Sequence, residues 1–269
     1  MVEEHLAFVG SVPGNYDKYL GPLIFDVYAE DLATRILVPE NGILIETAAG
    51  TGLATRYIRN RLSTSVRVVA TDLNADMLKI AESKFSDSEN IESQIADAQN
   101  LNFSDSSFDS MACQFSLMFF PDKLAAIKEA ARVLKPGGSF HFNICDSLEY
   151  NDYIRVTNKV IQSYFKESAP DFFDTPYGHF KIDEYKESLG IAGFNDVEIS
   201  VLPKVSKAFD ARQVALGYVL GTPVRLQIES REPNSLSDIV DSVEQAIGKE
   251  FGTSQLSAKM QAIVFTAHL

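Results

Sequence analysis

An apolar run meets a glycine-rich turn in the stretch Ile43-Leu-Ile-Glu46-Thr-Ala-Ala-Gly50-Thr-Gly52. Ile43–Thr47 has the composition of a short buried strand, and Leu53–Leu62 follows with the apolar spacing of a helix. Because glycine lacks a Cβ, Gly50 and Gly52 let the backbone approach a bound molecule closely. The N–H groups at the start of the helix favour a carboxylate or phosphate there. The stretch therefore predicts a strand–turn–helix unit that holds a ligand.

Two acidic residues beyond this turn narrow the class of ligand. The turn has Ala48 where the dinucleotide pattern G-x-G-x-x-G has its first glycine, and it lacks the Gly-Lys-Ser/Thr of a nucleoside-triphosphate loop. Asp72 follows about 20 residues later, after a second predicted strand, where a carboxylate can accept hydrogen bonds from ribose hydroxyls. Asp97 precedes Ala98 after a further short strand, where it can accept a hydrogen bond from an adenine amino group. Together the two acids favour an adenosine site, whereas either one alone also suits a cap or a surface turn.

Strand and helix patterns alternate through the first half of the chain. The predicted strands are Val66–Thr71, Ile91–Ala96, Ser110–Phe115 and Ser139–Ile144. Helices are predicted over Asn74–Phe85 and from Pro121 through Val133, and Lys135–Gly138 is a predicted turn. Such alternation is typical of a parallel sheet that helices cover on both faces.

The pattern changes after Asp146. Helices are predicted over Asn151–Phe165, Ile182–Leu189, Ala208–Leu220 and Leu236–Glu250, and strands over Asn195–Leu202 and Met260–Leu269. Lys166–Phe180 and the segment with Pro223 and Pro233 are predicted loops. No linker composition divides the sequence, so we expect a single domain over residues 1–269.

Charge and composition disfavour several classes of function. The chain has 269 residues, a net charge of −13 and a pI of about 4.8. Because so acidic a surface repels phosphates, we expect no nucleic acid as a partner. The sequence has no apolar run of about 18 residues, so we expect no membrane span.

The two cysteines and the first residues of the sequence indicate the cellular compartment in which the protein is expected. Cys113 and Cys145 lie in apolar runs that predict buried strands, and they lack the Cys-x-x-Cys spacing of a zinc site. Met1–His5 is acidic and no apolar segment follows it, unlike in a signal peptide. We therefore expect buried free thiols, no metal site and a cytoplasmic location.

Four blocks between Ile43 and Ile144 have the order and spacing of a known family. They are Ile43–Gly52, Val69-Ala-Thr-Asp-Leu-Asn-Ala-Asp-Met-Leu78, Ala96-Asp-Ala-Gln-Asn-Leu-Asn-Phe103, and Ser107-Phe-Asp-Ser110 with Arg132-Val-Leu-Lys-Pro-Gly-Gly138. Here the chain resembles the class I S-adenosylmethionine-dependent methyltransferases, in the type 11 group that includes the ubiquinone and menaquinone C-methyltransferases. The resemblance implies a Rossmann-like α/β fold. Its seven-stranded, mostly parallel sheet has an antiparallel last strand, helices on both faces and helical cap insertions.

The resemblance also implies S-adenosylmethionine as the cofactor and S-adenosylhomocysteine as the product. The matching cofactor-binding residues are Ala48, Ala49, Gly50, Gly52, Asp72, Leu73, Met77, Asp97, Ala98, Gln114 and Phe115. By resemblance, the turn wraps the methionine part, Asp72 holds the ribose hydroxyls, and Leu73 and Met77 line the adenine face. The Asp-Ala pair contacts the adenine edge, and the Gln-Phe pair lies beneath the methionine part.

Glu46 and two tyrosines extend the implied site. Glu46 matches the family's acidic residue ahead of the glycines, where it organises the turn or receives the cofactor's ammonium group through water. Tyr16 and Tyr19 lie in a segment similar to the family's opening helix, so one of them caps the methionine end or both pack on the sheet edge. Ala48 replaces a glycine of many members, and because its methyl group is small we expect binding to survive.

The resemblance suggests a division of the chain around this site. Residues 1–37 form N-terminal helices over the cofactor, residues 38–146 the cofactor-binding core and residues 147–193 a cap region. A helical insertion, residues 203–258, separates the last two strands, and we expect it to cover the active site or to form a homodimer contact. Four aromatic residues of the cap either line an apolar acceptor pocket or pack the cap: Phe172, Phe173, Tyr177 and Phe180.

The implied activity is in-line methyl transfer to a small-molecule acceptor, which depends mainly on alignment in a dry pocket. A general base is needed only for a protonated nucleophile, and no catalytic residue is identified. His179 is either a base or a packing residue, and His141 is interpreted as structural. A cofactor-binding regulatory module without methyl transfer is the alternative from another class. A nicotinamide-dependent oxidoreductase is disfavoured by the missing glycine at Ala48 and by Asp97-Ala98.

Overall fold

The chain forms one seven-stranded sheet. The computed structural model describes residues 8–269, so the acidic segment Met1–His5 lies outside the described residues. The strands are β1 (Ile43–Glu46), β2 (Arg67–Asp72), β3 (Ile91–Ile95), β4 (Phe108–Gln114), β5 (Leu134–Cys145), β6 (Asp196–Asp210) and β7 (Ser254–His268). Their order in the sheet is β3-β2-β1-β4-β5-β7-β6. The sheet is mostly parallel and antiparallel at its last strand, which confirms the predicted Rossmann-like α/β fold.

Helices connect the strands. They are α1 (Val12–Asn15), a π-helix (Tyr16–Phe25), α2 (Asp26–Arg35), α3 (Leu53–Arg61), α4 (Ala75–Glu82), α5 (Lys123–Val133), α6 (Asp152–Phe165), α7 (Asp174–Gly178), α8 (Ile182–Ala192), α9 (Ala211–Leu220), α10 (Val224–Arg231) and α11 (Leu236–Phe251). Short 3₁₀ turns are Asp87–Glu89, Leu117–Phe119, Leu148–Tyr150 and Lys166–Ser168. The alternation of strand and helix through β5 confirms the pattern predicted for the first half of the chain.

The chain divides into two compact units. The sheet unit comprises Tyr28–Ile144, Phe180–Leu202 and Ala262–Leu269. The helical unit comprises the described part of Met1–Val27, with Cys145–His179 and Pro203–Gln261. Within the helical unit, α11 packs against α6 and α9, and the π-helix packs against α9.

The parallel strands bring their carboxyl ends to one edge of the sheet unit. β1 pairs with β2 and β4, and Glu46 lies in register with Ala112. β4 pairs with β5, and Gln114 lies in register with Asn143. Because residues in register share a face and side chains alternate along a strand, Glu46, Ala112, Gln114 and Asn143 point to the same face.

A buried apolar cluster covers that face farther from the strand ends. It joins α2 and α3 to the strands through Leu32, Ile36, Ala54, Ile58, Leu44, Val68 and Ala112, among others. Helix α3 packs Ala54 and Ile58 on the sheet. Its Arg61 is exposed, whereas Arg59 is buried and donates to Val66 O at 2.7 Å. This packing fixes the start of α3, and with it the glycine-rich turn, at the edge where the strands end.

Three predicted elements differ from the structure. The helix predicted from Pro121 begins at Lys123, because Asp122 caps it by accepting a hydrogen bond from Ala125 N at 2.9 Å. The segment 135–138, predicted as a turn, belongs to β5, with Gly137 at a φ of 79°. Lys166–Phe180 was predicted as a loop but contains α7.

The later strands and one helix also depart from the prediction. β6 continues to Asp210 and β7 begins at Ser254, so both strands are longer than predicted. Helix α10 occupies the segment predicted as a loop from its two prolines. Pro223 immediately precedes α10 and Pro233 follows its end, positions that a helix tolerates because neither proline removes an internal hydrogen bond.

Candidate functional site

The turn after β1 contains three residues with a positive φ. Ala48 has a φ of 51°, Gly50 of 58° and Gly52 of 77°. For Ala48 this left-handed conformation costs about 1–2 kcal/mol, because its Cβ approaches the carbonyl oxygen. The methyl group of Ala48 therefore adds backbone strain to the turn, an effect that its small size alone does not predict.

Gly52 is also required by packing. It caps α3, and a Cβ at this position would lie 2.9 Å from Phe85 Cε2 and 3.0 Å from Ala81 Cβ. A Cβ on Gly50 would meet only Met77 Cε, at 3.4 Å, which is ordinary van der Waals contact. Gly52 thus lets α3 start against α4, whereas Gly50 supplies mainly the backbone conformation.

Asp72 ties the turn to the end of β2. Its Oδ2 accepts a hydrogen bond from Gly50 N at 2.8 Å, and its Oδ1 accepts one from Asn74 N at 2.8 Å. Burial raises the pKa of the Asp72 carboxyl, and these backbone N–H groups oppose the rise. The N–H group of Leu73 is a third backbone donor to this carboxyl. A carboxylate has about four acceptor positions, so Asp72 can still accept from a hydroxyl donor.

Glu46 is a buried carboxyl at the end of β1. It is 1% exposed, and its Oε2 has no hydrogen-bond partner among residues 8–269. Burial raises its pKa from 4.5 to about 8; the charge of Asp72 raises the pKa further, while the Thr55 hydroxyl lowers it. A neutral carboxyl with one oxygen unpaired fits the approach of a cation, which would favour its ionised form.

The predicted adenine residues lie beyond β2 and β3. Leu73 is 62% exposed, whereas Met77 is buried. Ala96 N donates to Asp72 O at 3.1 Å. Asp97 and Ala98 follow Ala96 directly in sequence, so this bond brings them near Asp72 in space. Asp97 Oδ1 accepts a hydrogen bond from Gln99 N at 2.9 Å, so in this structure Asp97 also stabilises its own turn.

Ile95 is a neighbour of this region that the sequence did not single out. It is 59% exposed and lies in register with Asp72, so the two side chains share a face. Leu73 and Ile95 together expose apolar surface beside a carboxylate. The signal was present in the sequence as an apolar residue at the last position of β3, just before Ala96.

Gln114 and Phe115 lie at the end of β4, as predicted. Phe115 has a φ of 49°, and its buried ring meets the Tyr28 ring edge-on at a centroid distance of 5.3 Å. Phe115 N donates to Asn143 Oδ1 at 2.9 Å. Asn143 is a second residue of this region that the sequence did not single out, because it lies inside a strand that looks like ordinary core.

Tyr16 and Tyr19 belong to the helical unit, unlike the other predicted cofactor residues. Both are half-buried in the π-helix. The Tyr16 ring stacks on Phe25 at 4.7 Å, and Lys18 Nζ lies 4.7 Å from the centre of the Tyr19 ring. Their role towards a cofactor stays a prediction.

The two histidines considered as bases differ in environment. His141 is buried, with Nε2 2.8 Å from Ser139 Oγ and Nδ1 3.3 Å from Thr266 Oγ1. Burial lowers its pKa to about 3, so its environment is that of a neutral core residue. His179 lies half-buried just after α7, and its role as a base stays a prediction.

The structure also bears on the state of the two cysteines, on metal binding and on membrane-spanning helices. Cys113 and Cys145 are free and buried, and burial raises the pKa of each thiol to about 12. Residues 8–269 contain no group of three or more His, Cys, Asp or Glu side chains that could hold a metal ion. Within the same range, no helix has the length and apolar character needed to span a membrane.

The helical unit contains a buried cluster of phenols. The Tyr177 hydroxyl lies within hydrogen-bonding reach of the Cys145 thiol and the Tyr218 hydroxyl. Tyr153 is 2% exposed, and its hydroxyl receives no partner from any residue that the structure describes. Burial raises the pKa of Tyr153 to about 12, so these groups are neutral donors near neutral pH.

The chain is similar to proteins of known family. A family model described as a methyltransferase domain matches residues 45–142. A demethylmenaquinone methyltransferase of Staphylococcus saprophyticus subsp. saprophyticus is 30% identical over 206 residues, covering 70% of this chain and 87% of that relative. One from Staphylococcus carnosus is 27% identical over 205 residues, covering 70% and 84%.

A solved structure shares the fold. It is a Haemonchus contortus phosphoethanolamine N-methyltransferase 2 in complex with S-adenosyl-L-methionine. The match has a TM-score of 0.59 and 16% identity, and it covers 95% of this chain and 56% of that one. At this identity the likeness concerns the fold alone.

Proposed function

Since the chain belongs to the class I S-adenosylmethionine-dependent methyltransferases, we propose that it transfers a methyl group to a small, oxygen-bearing molecule. The chain is an enzyme, and S-adenosylmethionine is its cofactor. The observation that carries the proposal is the buried Tyr153 hydroxyl, which lacks a partner among the described residues. A buried donor without a partner is unfavourable, so it points to an acceptor oxygen on a bound molecule.

Three features of the sheet unit support the predicted cofactor residues. Asp72 is a carboxylate fixed by backbone N–H groups at the end of β2, and it keeps acceptor capacity that suits a ribose hydroxyl. The Glu46 Oε2, which has no partner among the described residues, suits the ammonium group. The exposed Leu73 offers an apolar surface to adenine.

The remaining assignments rest on position. We assign the turn residues Ala48, Ala49, Gly50 and Gly52 to the methionine part, together with Gln114 and Phe115. We assign Met77, Asp97 and Ala98 to the adenine, and Tyr16 or Tyr19 to the methionine end.

For methyl transfer, the chain must bind the donor and the acceptor and align them. When bound, S-adenosylmethionine supplies a methyl group attached to a positively charged sulfur, and this sulfur becomes a neutral thioether when the methyl group is transferred. The glycine-rich turn and Asp72 fix the position of the donor, and apolar residues such as Leu73 exclude water from it. Asp72 and Glu46 stabilise its positive charge. No general base is assigned, because the acceptor atom decides whether a proton must be removed.

The helical unit supports one class of acceptor. Tyr153, Tyr177 and Tyr218 are neutral phenols in an apolar environment that includes Phe173 and Phe251. Phenol O–H groups donate to carbonyl, hydroxyl or phenolate oxygens, and the surrounding rings favour an uncharged, apolar body. Two relatives are named demethylmenaquinone methyltransferase, which agrees with such an acceptor. We therefore expect a quinone-like or phenolic acceptor.

The experiment measures formation of S-adenosylhomocysteine from S-adenosylmethionine with demethylmenaquinone and with simple phenols as acceptors. Tyr153→Phe should lower kcat/KM for the acceptor about tenfold, because one hydrogen bond to the acceptor oxygen is lost. The Kd for S-adenosylmethionine should change less than about twofold, since Tyr153 is assigned to the acceptor alone.

Tyr164→Phe is the matched control, because Tyr164 lies on the same helix with an exposed side chain. It should leave both constants unchanged. Equal kcat/KM values for Tyr153→Phe and the unaltered chain would reject Tyr153 as an acceptor residue. Methylation of proteins or nucleic acids in preference to every small acceptor would reject the proposed class.

The division of the chain belongs to the same proposal. We assign the acceptor-binding residues to the cap region 147–193 and to the insertion 203–258, whose helices are α9, α10 and α11. The alternative role of the insertion is a homodimer contact. The N-terminal helices within residues 1–37 and the core 38–146 keep their proposed roles towards the cofactor. A reducing, cytoplasmic setting is supported by the two free thiols.

A further inference from the structure

Asn143 is a fully buried amide on β5. Side chains alternate along this strand, so Phe140 and Phe142 form an apolar face while Ser139, His141 and Asn143 share the other. Ser139 and His141 bond to each other, with Nε2 2.8 Å from Oγ. Asn143 instead binds the main chain beyond the end of β4.

The partner of Asn143 is the N–H group of Phe115. This group donates to Asn143 Oδ1 at 2.9 Å and to the Asn143 main-chain oxygen at 3.1 Å. Phe115 has a φ of 49°, a conformation that bulky L-residues rarely adopt. Asn143 therefore supplies its hydrogen bonds at the residue where the backbone after β4 is strained.

The other end of the amide disfavours a purely structural role. Asn143 Nδ2 is buried and finds no hydrogen-bond partner within the described part of the chain. An apolar side chain of similar size would avoid this unpaired donor, and glycine at position 115 would avoid the strain. Strained backbone that persists in a fold is concentrated at functional sites. Here it falls beside Gln114, at the carboxyl edge of the sheet.

We propose that Asn143 is a positioning residue of the methyl-transfer reaction. By binding the Phe115 N–H group it holds the backbone after β4, and it thereby orients Gln114 and Phe115 for the donor. Asn143 acts through Phe115 and not by touching the reacting atoms. The inference rests on the proposed function, because it requires that Gln114 and Phe115 belong to the donor site.

A double-mutant cycle tests this mechanism, with the Kd for S-adenosylmethionine measured by titration calorimetry. Asn143→Leu keeps the size of the side chain and removes both polar groups, and it should raise the Kd about tenfold. Glycine adopts a positive φ without strain, so in a Phe115→Gly background Asn143→Leu should change the Kd less than about twofold. Equal effects in both backgrounds would overturn the proposal.

Two further variants separate positioning from general stability. Ser139→Ala is the control, because it removes a buried hydrogen bond on the same face of the same strand; it should leave the Kd unchanged. Asn143→Asp keeps an acceptor oxygen, and burial keeps its carboxyl protonated, so it should bind the donor within about twofold of the unaltered chain. A Kd raised about tenfold for Asn143→Asp would contradict the proposal. This test needs no folded Asn143→Leu variant.

Phe115→Ala separates the role of Phe115 in the donor site from the positioning role of Asn143. An unchanged Kd for Phe115→Ala would remove Phe115 from the donor site, and the Asn143 inference would fail with that part of the proposed function. A raised Kd for Phe115→Ala together with an unchanged Kd for Asn143→Leu would overturn the Asn143 inference alone. In both cases the assay of Tyr153→Phe still tests the acceptor site, because it depends on neither Phe115 nor Asn143.

Discussion

Glu46 holds an ionisable group in the interior, and its pKa links stability to pH. The pKa rises from 4.5 to about 8 because the carboxyl is buried. Between these two values an unfolded chain ionises Glu46 while the folded chain keeps the proton. The free energy of unfolding therefore falls as pH rises through this window, by an amount on the order of a few kcal/mol for a shift of this size.

Glu46→Gln should remove this pH dependence. Urea unfolding at pH 5, 6.5 and 8 should give a smaller decrease with pH for the variant than for the unaltered chain. The affinity of the variant for S-adenosylmethionine should also be lower, because an amide at position 46 carries no charge to attract the ammonium group. Glu40→Gln is the control, since Glu40 is exposed. Identical pH profiles for Glu46→Gln and the unaltered chain would reject the role of Glu46.

Single residues of the site were predictable where they follow a strand. Asp72 and Gly50 were chosen from sequence spacing, and the structure joins them by a hydrogen bond of 2.8 Å. Asn143 was missed because its partner is a backbone N–H group just beyond the end of β4, and no local pattern encodes such a contact. The strain at Ala48 was missed because φ depends on the turn conformation, which residue size does not reveal.

Helices α3 and α4 meet at Gly52, and their packing depends on its missing side chain. Gly52→Ala should lower the free energy of unfolding by about 2–4 kcal/mol, through the left-handed φ and the close approach to Phe85 and Ala81. Gly50→Ala shares the positive φ but has room near Met77, so it should cost only about 1–2 kcal/mol. Urea unfolding of both variants measures the difference. Equal losses would show that packing at Gly52 contributes nothing.

Elements were predictable to the extent that periodicity marks them. β1, β2 and β4 are short, largely apolar and bounded by turn residues, and their bounds agree closely with the prediction. β5 begins at Leu134 and not at Ser139, because the glycines of the segment 135–138 resemble a turn. β6 and β7 run on past Leu202 and back from Met260, where half-exposed polar residues hide the strand pattern. Helix α10 was missed because its flanking prolines resemble loop signals, although a proline before the first turn is compatible with a helix.

The whole molecule is strongly acidic while its cofactor carries a net positive charge. With 37 acidic and 24 basic residues, the chain attracts a cationic donor and repels polyanions. Asp72 places a carboxyl at the carboxyl edge of the sheet unit, and Glu46 adds a second charge there once a bound cation favours its ionised form. Charge at the scale of the molecule thus favours encounter with the donor, and the positions of these two carboxyls favour its retention.

Amide hydrogen exchange should map donor binding over the two units. S-adenosylmethionine binds the folded chain, so it should slow exchange in the segments that hold it. We expect slower exchange in the turn after β1, at the start of α4 and at the end of β4, and unchanged exchange in α11, which serves as the internal reference. Slower exchange in the π-helix would support a cap by Tyr16 or Tyr19, and unchanged exchange there would favour their packing role. Equal protection of α11 and the turn would contradict the assignment of the donor site to the sheet unit, because the effect would then be global stabilisation.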